Sequence, residues 1–177
     1  MNTLLIILSV VAALVVLLLI ASLIIKKEYA LERTIAISKP RHEVFDYLRW
    51  LRNHKNFVKW SKMDPAMRQT FNGNDGAVGF VSAWESDNKN VGKGEQEIKK
   101  IAEGERIDYE LRFEKPFKGT AYAYIITTPV STGETKVSWG MEGSSPRPMN
   151  VMSAMIRKML VRDLDVSLND LKSLLEK

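Results

Sequence analysis

The chain has 177 residues, with 26 basic and 21 acidic side chains, two histidines and no cysteine, for a formal net charge of +5. Lack of cysteine excludes disulfides, thiolate metal sites and a cysteine nucleophile. No basic run exceeds two residues, so the chain lacks the basic footprint of a nucleic-acid binder, and no nucleic-acid partner is expected.

Leu4 to Ile25 reads LLIILSVVAALVVLLLIASLII, 22 residues without charge, proline or glycine. As a helix it spans roughly 33 Å, enough to cross about 30 Å of hydrocarbon. A signal peptide would carry a basic residue ahead of a shorter apolar run, about 7–15 residues. Here only MNT precedes the run. A retained single-pass membrane anchor over residues 1–27 is therefore expected, followed by one globular domain over 28–177. Lys26 and Lys27 follow the run directly, and the positive-inside rule then puts the N-terminus outside and the domain in the cytoplasm.

ERTIAIS (Glu32–Ser38) reads as a first strand, with Ser38 as the expected N-cap of the next element and Pro40 in its first turn. In HEVFDYLRWLRN, Val44, Tyr47, Leu48 and Leu51 have the i, i+3, i+4, i+7 spacing of an amphipathic helix. A second short helical piece is expected around His54–Trp60. From Arg68 on, turn clusters separate six strand-like segments: RQTFN, VGFVSAWE, VGKGEQEIKKI, RIDYELRFE, GTAYAYIITT and TKVSWGMEG. Ile107, Tyr109, Leu111 and Phe113 alternate with polar residues, as in a half-buried antiparallel strand. Val137, Trp139 and Met141 alternate likewise. For Tyr122 and Tyr124 the pattern leaves two options, since Ala121, Ala123 and Ile125 can pack inward instead. After Pro148 the chain turns helical to its end, with Asn150 as the expected N-cap. The order is that of an α+β domain.

The last helix carries two apolar stripes. Leu160, Leu164, Leu168, Leu171 and Leu175 form one ridge, suited to packing on the sheet. Met152, Met155 and Met159 form another, and the next turn of that ridge reaches Asp163. Methionine suits surfaces that re-pack around varied apolar partners.

Little in the sequence points to chemistry. HEVFD lacks the second histidine of a zinc site, and no metal or cofactor is expected. His42 and His54, set among charged neighbours, read as surface residues. GNDGAVG opens onto a strand and reads as a hairpin turn, without the helix N-terminus that cradles phosphate. Glu95 and Glu97 share the strand face opposite Gly94, Gln96 and Ile98, with Ile98 marking the buried side. Glu142 and Asp163 are further candidates for a tunnel-facing acid, and Asp163 can instead pair with a nearby Arg or Lys.

ERTIAISKPRHEVFDYL (Glu32–Leu48), NFVKWSKMDP (Asn56–Pro65), AWESDNKNVGKGEQEI (Ala83–Ile98) and TKVSWGMEG with PMNVM (Thr135–Met152) together resemble the START-like superfamily, also called Bet v 1-like or SRPBCC. Within it the chain looks like the polyketide cyclase/dehydrase-type branch, in its small bacterial membrane-anchored form. The resemblance covers residues 29–177 and rests on structural motifs. One motif departs from the family's Trp-Ser-Pro-Trp: here it reads Trp60-Ser61-Lys62-Met63. The resemblance implies a helix-grip: a seven-stranded antiparallel sheet wrapped on the long C-terminal helix, two short helices after strand 1, and an apolar tunnel between sheet and helix. Relatives bind lipids, sterols, polyketides or other hydrophobic molecules, and a minority catalyse cyclisations. The expected function is thus a membrane-anchored module for a hydrophobic small molecule. The expected lining is Trp60, Met63, Trp84, Tyr109, Phe113, Tyr122, Tyr124, Trp139, Met141, Met152, Met155 and Met159. A cyclase/dehydratase-like enzyme, with Asp163 as its acid, and a regulatory domain with a collapsed cavity are the alternatives.

Overall fold

In the computed structural model, which describes residues 2–177, the apolar N-terminal run forms one helix, α1 (Thr3–Ile24). Apart from Thr3, Ser9 and Ser22 its side chains are apolar, and all but Ala21 and Ser22 near its end are exposed. A helix with no polar face has nothing in water to turn toward. Only three residues separate it from strand β1 (Glu28–Ile37). That strand begins four residues earlier than its alternating pattern suggests, because EYAL pairs with the end of the last strand, Glu28 opposite Ser144.

Helix α2 (Arg41–Arg49), a 3-10 turn (Leu51–Asn56) and the short α3 (Lys59–Lys62) follow. Strands β2 (Arg68–Asn72), β3 (Val81–Glu85), β4 (Lys93–Ala102), β5 (Arg106–Lys115), β6 (Gly119–Ser131) and β7 (Glu134–Ser144) form an antiparallel meander. β1 joins its far side, giving the seven-stranded order β1-β7-β6-β5-β4-β3-β2. A 3-10 turn (Met149–Met152) then leads into α4 (Ser153–Leu175). The α+β helix-grip is therefore present as expected.

Two expected caps serve other purposes. Pro40 takes the N-cap position of α2, and the Ser38 amide donates instead to Glu176 Oε1 at 2.6 Å. Asn150 lies before α4 within the 3-10 turn; its amide donates to Ser22 O at 2.8 Å and Ile25 O at 2.7 Å. Two carbonyls at the end of α1 thus gain a buried partner.

Register fixes which sheet face meets α4. Leu31 opposes Met141, Ile125 opposes Trp139, Ile107 opposes Ile125 and Ile98 opposes Tyr109. All seven are buried, and they form one core cluster with Leu164, Leu168 and Leu171 of α4. The leucine ridge is therefore core. α4 runs along β1: its start is tied to the end of α1, and Lys172 near its end donates to Ala36 O at 2.8 Å. The half of the grip away from α1 is filled.

A candidate site: a cavity at the α1 end of the grip

Toward α1 the same inner face carries Gly94, Ala121, Ala123 and Gly143, while α4 offers only Ile156 and Leu160. Small residues opposite a sparsely apolar helix stretch leave space, and a cavity of about 280 Å³ lies there. Its sheet wall includes Gln69, Ser82, Trp84, Gln96, Phe113 and Trp139. Leu51, His54, Val58 and Trp60 close it from the helical side, and Val91, Lys115 and Pro116 stand at the loops on the α1 end.

Glycines shape this wall. A Cβ on Gly94 would lie 2.6 Å from Arg112 O and 2.8 Å from Trp84 Cζ2, so the indole lies flat across a bare backbone. On Gly143 it would meet Tyr29 Oη at 2.5 Å, and Tyr29 also lines the cavity. The Trp84 indole is further held by its N–H, donated to Val91 O at 3.3 Å, and by the edge of Phe113 at 6.0 Å.

The polar groups are few. His54 is buried, with its ring near those of Phe57 (5.2 Å), Tyr109 (5.9 Å) and Trp139 (6.4 Å). Its Nε2 lies 3.2 Å from Leu48 O. A carbonyl only accepts, so Nε2 carries the proton and Nδ1 keeps its lone pair. Burial lowers the imidazole pKa to about 4, so the ring is neutral near pH 7. Gln69, Gln96, Ser82 and Ser61 add neutral donors and acceptors. Among the described residues no carboxylate lines the cavity. Such a lining suits an apolar body with one polar, uncharged or hydrogen-bonding end.

Of the residues expected to line the space, Trp60, Trp84, Phe113, Trp139 and Met141 stand at its wall. Tyr109 faces inward but belongs to the packed core behind His54, its hydroxyl buried without a partner. Tyr122 and Tyr124 point to the outer face: Tyr122 is exposed, while Tyr124 lies across Gly140, donates to Glu32 Oε2 at 2.7 Å and stacks under Arg106. The inward option was the alanines, because register pairs Ala123 with Met141. Met63 sits at a separate shallow surface recess with Asp64, Arg68 and Glu85. Met152, Met155 and Met159 are exposed on the outside of the helix start, turned away from the cavity that Ile156 and Leu160 face. Asp163 is buried and ion-paired with Lys59 of α3, outside the cavity wall.

His54 reads in sequence as a surface residue, and the structure reverses this. Its neighbours Arg52 and Lys55 are charged, but in a 3-10 turn successive side chains diverge widely, and Leu51 and His54, three apart, share the buried side. Gln96 carries a legible signal, standing between the inward Gly94 and Ile98. Glu95 and Glu97 face outward as their pattern indicates. Arg112 donates to them at 2.6 and 2.7 Å and also pairs with Glu110. That guanidinium holds the Glu97 carboxyl below its ordinary pKa.

Comparison with known proteins agrees with this architecture. No curated protein sequence matches the chain. Among solved structures, protein CV1439 from Chromobacterium violaceum superposes with a TM-score of 0.59 at 18% identity, covering 84% of this chain and 97% of its own. Norcoclaurine synthase from Thalictrum flavum, in complex with dopamine and hydroxybenzaldehyde, gives 0.64 at 9% identity, with 87% and 90% covered. Ara h 8.0201 gives 0.53 at 14%, with 81% and 98% covered. At these identities the likeness is one of fold. Residues 29–176 match the family described as polyketide cyclase / dehydrase and lipid transport. The chain belongs to that family, within the Bet v 1-like (SRPBCC) superfamily of hydrophobic-ligand-binding folds.

Proposed function

We propose that this protein is a membrane-anchored binding module for a hydrophobic small molecule, of lipid or polyketide/isoprenoid-like character, held between the sheet and α4. The observation that carries the reading is the cavity itself. The grip is packed solid around Leu164–Leu171 and open around Ile156–Leu160, where aromatic rings, neutral polar groups and Lys115 at one end line about 280 Å³. That is close to the lower bound of small-molecule sites, about 300 Å³. Affinity would come from burial, roughly 25 cal/mol per Å² of apolar area before entropic costs.

Retention of α1 is supported by what its loss would leave behind. Asn150 is wholly buried and donates to two carbonyls of the helix end, and Arg147 donates to Ser22 O at 2.8 Å and Leu23 O at 3.0 Å. A cleaved leader has no reason to be tied into the mature domain. With α1 inside an anchor segment over residues 1–27, Lys26 and Lys27 favour a cytoplasmic domain.

The test is native mass spectrometry of gently extracted full-length protein, with thermal shift against a panel of fatty acids and isoprenoids. An apolar molecule should co-purify or raise Tm, and Ala123→Phe, which fills the wall between Tyr109 and Met141, should abolish both effects. If nothing co-purifies and no compound stabilises the fold, the reading fails.

A further inference from the structure

The methionine stripe has no use inside the protein, and its position suggests one outside. Met152, Met155 and Met159 are 44%, 61% and 52% exposed. They begin on the very turn that Asn150 fastens to α1, and from Met152 to Met159 the helix rises only about 10 Å. The opposite side of the same end carries Phe117, 61% exposed, in the loop joining β5 to β6. Register puts that loop beside the attachment point, since Phe113 pairs with Gly119, Ala121 with Gly143 and Glu28 with Ser144. Arg157, Lys158 and Lys118 stand among these residues, exposed, and among the described residues no carboxylate pairs with them. Exposed methionine and phenylalanine with free cations between them match a bilayer's interfacial layer, apolar below and anionic at the headgroups. The cavity loops with Val91, Lys115 and Pro116 are on this same end.

We propose that this end of the domain is a second bilayer contact, with the methionine stripe and Phe117 seated in the interface beside α1, so that the cavity mouth opens onto lipid and a guest passes between bilayer and cavity without crossing water. The inference rests on the anchor reading. Methionine fits the role because acyl chains present no fixed shape, and a flexible thioether adapts to each arrangement.

The absence of cysteine makes the test direct. Met155→Cys, Phe117→Cys, Leu14→Cys and Gly133→Cys are introduced singly into the full chain, spin-labelled, and reconstituted in vesicles of equal parts phosphatidylcholine and phosphatidylglycerol. Gly133 lies in the β6–β7 turn at the far end, with open space around it, and serves as the aqueous reference. Collision with oxygen relative to a water-soluble nickel chelate reports depth. The ratio should be highest at 14, clearly raised at 155 and 117, and low at 133. Labels at 155 and 117 as exposed to the chelate as 133, with 14 deep in lipid, overturn the second contact and leave the anchor standing. An aqueous reading at 14 overturns both. Should the Met155 label disturb packing, Met159→Cys, on the same stripe, gives the same reading.

Discussion

His54 is the residue where sequence and environment disagree most, and the disagreement has a measurable consequence. Its pKa in the folded state is about 4 against an ordinary 6.5, chiefly because burial penalises the imidazolium. Between those values the unfolded chain binds a proton that the native state refuses. Stability is therefore full above pH 6.5 and falls as pH drops, by about 1.4 kcal/mol per unit, until pH 4. Denaturant titrations should show a loss of roughly 2 kcal/mol on going from neutral pH to about pH 5. His54→Gln, which can still donate to Leu48 O, should flatten that slope. Glu97 and Glu176 also have lowered pKa values and enter only below the ordinary carboxylate range, so the window above about pH 5 isolates His54. Gly94 is the second informative residue. Gly94→Ala sets a methyl against Arg112 O and the Trp84 indole. It should cost about 1–3 kcal/mol by overpacking and shift Trp84 fluorescence, with weaker ligand binding because the ring moves into the cavity.

At the scale of elements, α3 is too short to hold itself: four residues, with no side-chain cap. It is held by α4. Lys59 pairs with the buried Asp163, its amide donates to Ser167 Oγ at 3.0 Å, and Lys62 reaches Asp170 at 2.8 Å. Because α3 carries Trp60 and Ser61 onto the cavity wall, this clamp positions part of the site. Removing one member of a buried pair costs about 3–5 kcal/mol, and Lys59, 30% exposed, can partly rehydrate. Asp163→Ala should therefore cost near the lower end of that range in chemical denaturation, whereas Asp170→Ala, at an exposed pair, should cost under about 1 kcal/mol. Faster ligand release in Asp163→Ala than in Asp170→Ala would mark α3 as part of the cavity closure; equal release rates would confine Asp163 to stability.

For the whole molecule, the question is how firmly the domain is oriented against α1. Three residues of connection and four side-chain hydrogen bonds to the helix end make a joint, not a tether. Paired Asn150→Ala and Arg147→Ala substitutions remove those donors. Each lost buried hydrogen bond costs about 1–3 kcal/mol where a partner is left unsatisfied, but the core leucines are untouched. Hydrogen exchange should quicken in the Met149–Met152 turn and the first turn of α4, while β5–β7 keep their protection. Uniform loss of protection would mean that the joint supports the entire fold.

Period-2 alternation in RIDYELRFE and TKVSWGMEG, the leucine ridge of α4 and the outward Glu95 and Glu97 were all readable from the chain, because each is local and set by side-chain periodicity. The apolar run and the succession of strand segments along the chain were readable for the same reason. What the chain alone left undetermined depends on partners distant in sequence. Whether Tyr124 or Ala123 faces inward is decided by strand register, through Gly140 on one face and Met141 on the other. His54 becomes a buried, neutral ring only once Tyr109 and Trp139 are brought around it. The direction of the methionine stripe is likewise tertiary: the face of α4 that meets the sheet is chosen by the leucines that bury most area, and the methionines take what remains. Sequence determines which residues can share a face; only the packed structure decides which face meets the core, because that choice is made by the total apolar area buried across elements far apart in the chain.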